Sequence, residues 1–121
     1  MILLNLKKLF AEYGNKIQLL RNNNNNIASK VLTITNVTIP DGTASSPSST
    51  NINLNNYGIH KSIWGCEVYL GTFHLPYFSD NGTVRTWVSK IEEQTITIRN
   101  TTTGWGTKAI YLLVFYAGGD L

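Results

Sequence analysis

The spacing of apolar residues changes once along this chain, and that change limits what each part can fold into. From Leu3 to Ile27 the residues Leu3, Leu6, Phe10, Tyr13, Ile17, Leu20 and Ile27 follow steps of three and four, interrupted at Asn24. That is the heptad-like spacing of an amphipathic helix. The run Asn22 to Asn26 closes the series; asparagine is poor inside helices and tolerates turns and left-handed backbone, so the run reads as a hinge. Beyond it the period is two. The chain thus divides into an N-terminal amphipathic helix with its hinge over residues 1–27 and a β domain over residues 28–121.

The helix is short and carries Gly14 at its middle, which costs up to about 1 kcal/mol relative to alanine. Alone in water it would be marginal, so its stripe, broadened by Leu4, Leu9 and Leu19, needs a cover. Three covers are open: its own β domain, the helices of identical chains in a short parallel bundle, or a membrane surface. The apolar residues follow the charges of no secretory leader, since Lys7 and Lys8 come after Met1 to Leu6 rather than before, and no run approaches the length of a membrane span.

In the β domain, Lys30 to Ile39 is a β-branched run closed by the turn-forming Pro40-Asp41-Gly42. Its inward set shifts from Leu32 and Ile34 to Val37 and Ile39, which predicts a bulge near Asn36. Thr43 to Thr50 reads as a polar loop. Further strands are predicted at Ile52–Ile59, Ser62–Phe73, Gly82–Ile91, Gln94–Arg99 and Lys108–Tyr116, with turn signals at residues 55–58, 79–82 and 101–106. Short strands at this spacing with no helical segment among them predict a mostly β fold, an antiparallel β-sandwich of jelly-roll-like form preceded by one short helix.

The last strand is apolar on both faces. Ile110, Leu112, Val114 and Tyr116 point one way, Tyr111, Leu113 and Phe115 the other. A sandwich strand normally alternates apolar with polar, so the second face also needs a cover. Leu3, Leu6, Phe10, Tyr13, Ile17 and Leu20 on the helix, with Tyr111, Leu113 and Phe115 on the strand, are therefore the candidate oligomer interface.

Catalytic chemistry finds little footing. His60 and His74 are the two histidines and Cys66 the one cysteine, with no glycine-flanked nucleophile turn and no spacing suited to a structural metal site. Glu92-Glu93 reads as a solvated turn rather than the separated carboxylate pair of a glycosidase. A single cysteine makes no intrachain disulfide. Charged residues are 14% of the chain, well below the roughly 25% of an average domain, and the net charge of +3 is spread from Lys7 to Lys108 without a patch. No nucleic-acid face, catalytic group, metal or cofactor is expected.

Tryptophans remain. Trp87 shares a strand face with the polar Arg85 and Ser89, and Trp105 lies between two glycines at a turn. Both are candidates for stacking on a ligand such as a sugar ring, against the plainer alternative of core or interface packing.

The stretch Thr95-Ile-Thr-Ile-Arg-Asn100, then Gly104-Trp-Gly106, then Ile110-Tyr-Leu-Leu-Val-Phe-Tyr116, behind a short helix and an Asn-rich hinge, resembles the small terminal β domains of bacteriophage fibres and receptor-binding proteins. That resemblance implies a virion structural protein, as a fibre, head-fibre, decoration or tail-tip component. It also implies a homotrimer joined to other virion proteins, with a host surface glycan as a further candidate partner. The chain has no extended shaft repeat, unlike a long tail fibre. A monomeric carbohydrate-binding or adhesin-like sandwich is the alternative.

Overall fold

A computed structural model describes residues 27–118. The helix, the Asn-rich hinge and the candidate interface residues Leu3, Leu6, Phe10, Tyr13, Ile17 and Leu20 lie outside the described residues. The described chain forms eight strands: β1 Ile27–Ile39, β2 Ser48–Asn53, β3 Ile63–Leu70, β4 Phe73–His74, β5 Tyr77–Phe78, β6 Val84–Glu92, β7 Thr95–Asn100 and β8 Gly106–Ala117. One four-stranded sheet has the order β1-β8-β3-β4 and the other β2-β7-β6-β5, and all pairs are antiparallel. We call them sheets A and B.

Local sequence explains most of the breaks. In β1 the register against β8 shifts between Ile34 and Val37, where Asn36 sits at φ 60°. This is the predicted bulge, at a residue type that accepts left-handed backbone. Gly42 then passes so close to β7 that a Cβ there would lie 2.1 Å from the Asn100 carbonyl oxygen.

Four expectations are corrected. Ile27, counted with the helical series, opens β1 and is buried. β2 begins inside the segment read as a polar loop, because β7 supplies partners from Ser48↔Asn100 to Asn53↔Thr95. The run Ile52–Ile59 leaves the strand after Asn53, whose side chain caps a 3-10 turn at Leu54–Tyr57 by accepting from the Asn55 amide, and Gly58 at φ 83° ends it. Ser62–Phe73 is divided at Gly71, φ 58°, into β3 and the two-residue β4.

Both sheets feed one core. Leu32, Ile34, Val68, Leu70, Ile110, Leu112 and Val114 from sheet A meet Ile52, Ile96 and Ile98 from sheet B. Each such side chain contributes roughly 1.5 to 3 kcal/mol on burial. Ile110, Leu112 and Val114 all have no exposed surface, which makes β8 the strand around which the sandwich is built.

Candidate functional site

The second face of β8 is apolar in space as well as in sequence. Leu113 is fully buried on the outer side of sheet A and clusters with Tyr69, while Tyr111 and Phe115 pack against the pair. Around this cluster Val31 and Trp64 are exposed. The other groups of this sheet are committed locally. His74 Nε2 meets Glu67 Oε2 at 2.5 Å and its ring stacks on Tyr69. Cys66, paired with Val114 and so on the inner face, packs against the core. Burial, with a smaller contribution from Glu67, pushes its thiol up to about 12. It is therefore protonated at neutral pH and a poor nucleophile. His60 bonds through Nδ1 to Asn55 Oδ1 at 2.8 Å. The two histidines and the cysteine thus occupy three separate settings. Among the described residues no cluster of histidine, cysteine and carboxylate side chains could hold a metal ion.

Trp105 is a packing residue rather than an open stacking platform. It is 9% exposed, and its Nε1 donates to Thr86 Oγ1 at 3.0 Å and Asn100 Oδ1 at 3.1 Å. Phe73 and Tyr77 meet it edge-on, at centroid distances of 5.3 and 5.4 Å. Phe73, which sequence reading passed over, is the exposed member of this trio.

No protein-family model, curated protein or solved structure matches this chain.

A polar groove of about 650 Å³ lies on the outer face of sheet B, and alternation places its walls. Ile96, Ile98 and Asn100 of β7 point inward and are buried, so Thr95, Thr97 and Arg99 point outward. Registration adds their neighbours. Arg99 lies between Ser49 and Trp87, Thr97 between Asn51 and Lys90, and Thr95 between Asn53 and Glu92. The register shift between Val88 and Lys90 leaves Ser89 as the extra residue, and its hydroxyl donates to the Thr97 carbonyl at 3.3 Å. Thr97 Oγ1 donates to Asn51 Oδ1 at 2.9 Å. Lys90 Nζ pairs with Glu92 Oε2 at 3.1 Å.

Trp87 is half-buried and lies outside the groove's lining, opposite Arg99 across the β6–β7 ladder and on the polar face where the sequence put it. Arg99 itself was missed, although Thr95-Ile-Thr-Ile-Arg-Asn100 alternates cleanly enough to place it beside Trp87 once β6 and β7 are taken as neighbours.

Proposed function

We propose that this chain is a bacteriophage virion structural protein, a fibre, head-fibre, decoration or tail-tip component. It assembles as a homotrimer, joins other virion proteins through its N-terminal side and carries its β domain outward, towards the host surface. The observation that carries the reading is the apolar cluster of Leu113, Tyr69, Tyr111 and Phe115 on the outer side of sheet A. The exposed side chains beside it, Val31 and Trp64, are large apolar surface that a monomeric sandwich normally keeps off its outer face. β1 starts beside the end of β8, with Ile27 opposite Ala117, two residues beyond Phe115 of that cluster. A closed threefold ring, whose contacts are heterologous, would bury the stripe together with the exposed Val31 and Trp64 that border this cluster. The nested pairing of first strand with last and second with penultimate also supports the jelly-roll-like form of sandwich.

Light scattering on the full chain tests this. The expected mass is three times the 13.5 kDa of one chain, and Phe10→Asp with Ile17→Asp should lower it to that of one chain. A monomeric mass for the unmutated protein at micromolar concentration refutes the assembly.

A further inference from the structure

We infer that the groove on the outer face of sheet B binds an acidic saccharide, with a pyranose ring against Trp87 and its carboxylate on Arg99. This deepens the host-surface part of the proposed function by naming the class of ligand, and it concerns a different sheet from the assembly face.

The groove has a charged end without a partner. Arg99 lines it from the central strand β7, yet no hydrogen bond or ion pair joins its guanidinium to any described residue. Its Nε is screened from solvent and has no acceptor. The stem is therefore packed down and the Nη end is what the groove receives. A carboxylate is the group whose two oxygens match that fork. The acidic residues of the groove, Glu92 and Glu93, lie at its other end. Glu92 pairs with Lys90 in the Thr95 row, four residues along β7 from Arg99 or about 13 Å away, and Glu93 follows it past the end of β6. At that separation water and salt screen the attraction.

The surroundings of Arg99 suit a sugar rather than a bare anion. Trp87, just outside the groove, stands directly across from Arg99 and offers an apolar plane beside the cation. Beyond them Ser49, Asn51, Ser89 and Thr97 supply neutral hydroxyl and amide groups on a rigid sheet. Such groups can both donate to and accept from sugar hydroxyls, whereas a simple anion could use only their donors. A neutral saccharide would leave Arg99 as it is, and a carboxylate without a ring would leave Trp87 unused. The combination selects a ligand having both, such as a uronic or sialic acid residue of a surface glycan.

The test is an amide and indole chemical-shift titration of the isotope-labelled full chain. The probes are methyl β-glucuronide and methyl α-sialoside, with methyl β-glucoside and acetate as the ring-only and charge-only comparisons. At least one acidic glycoside should give saturable shifts at the Trp87 indole and along β6 and β7, with an affinity about tenfold or more above both comparisons. Arg99→Gln and, separately, Trp87→Ala should each remove about tenfold while the circular dichroism spectrum is kept; Arg99→Lys, which keeps charge and loses the fork, covers the case in which either fails to fold. Equal binding of glucoside and glucuronide, acetate binding as tightly as either acidic glycoside, or no saturable shift with both acidic glycosides overturns the inference. None of these outcomes changes the mass of the particle, so loss of this site and loss of the trimer are told apart.

Discussion

Removing the Asn100 side chain should cost the sandwich about 3 kcal/mol, and the figure follows from which partners are left stranded. Asn100 is fully buried at the end of β7. Its Oδ1 accepts from Thr86 Oγ1 at 2.8 Å, Trp105 Nε1 at 3.1 Å and the Thr102 amide at 3.0 Å. Its Nδ2 donates to the carbonyls of Pro40 at 2.9 Å and Thr102 at 2.8 Å. In Asn100→Ala several of these partners keep a second bond. The Pro40 carbonyl still accepts from Ser48 Oγ at 2.6 Å, the Thr102 carbonyl from the Gly42 amide at 3.2 Å, and Trp105 Nε1 still reaches Thr86 Oγ1 at 3.0 Å. The Thr102 amide and the Thr86 hydroxyl hydrogen lose their acceptor. An orphaned buried donor costs about 1 to 3 kcal/mol; Thr86 has no exposed surface, and Thr102 is half-buried and regains part of its loss from water. Thr86→Val is the internal comparison. It leaves both Trp105 Nε1 and the Thr102 amide on Asn100 Oδ1, so it should cost only about 1 kcal/mol. Urea unfolding at one fixed protein concentration, followed by tryptophan fluorescence, measures both. A loss below about 1 kcal/mol for Asn100→Ala, or equal losses for the two variants, would refute the assignment of Asn100 as the centre of this network.

Two further predictions rest on single positions. Gly42→Ala places a Cβ 2.1 Å from the Asn100 carbonyl oxygen and 2.6 Å from the Ser48 amide nitrogen, both backbone. It should destabilise by more than about 3 kcal/mol, whereas the same change at Gly65, with open space around it, should cost under about 1 kcal/mol in the same assay. Cys66 should resist iodoacetamide at pH 8 at a rate well below that of an unfolded control, because its thiol titrates near 12 in the fold against 9.0 ordinarily. Since folding raises this pKa, stability is fully present below pH 9 and falls as pH rises from there towards 12, by up to about 1.4 kcal/mol per pH unit; Cys66→Ala should show a shallower alkaline decline.

The β sandwich was legible where side-chain parity and backbone demand agreed. The shift of the inward set between Ile34 and Val37 located the bulge near Asn36, and the apolar run of residues 110–116 located β8, which lies between β1 and β3 in sheet A. Legibility failed where pairing rather than local preference makes the strand. Ser48, Ser49, Thr50 and Asn51 carry no apolar alternation, and β2 forms there because β7 provides its hydrogen bonds. Two-residue strands such as β4 and β5 are too short to have a period at all. The groove was half legible for a related reason. Trp87 and its polar face were readable within one strand, but its meeting with Arg99 depends on the register of β6 against β7, which passes through the irregularity at Ser89.

The pairing of β1 with β8 also decides how the domain responds to being pulled. The two strands run antiparallel from Ile27↔Ala117 to Ile39↔Gly106, so both ends of the described chain leave at one corner. Tension between those two ends would peel the ladder open one rung at a time, starting at Ile27. Tension between the N-terminal side and a grip on sheet B instead loads β1 lengthwise, and the rungs resist sliding together. The same domain is then weak against a tug on its own termini and tenacious between an anchor and a surface. Because rupture under load follows the unfolding rate rather than the equilibrium stability, the direction of pull changes its lifetime while the equilibrium stability stays the same.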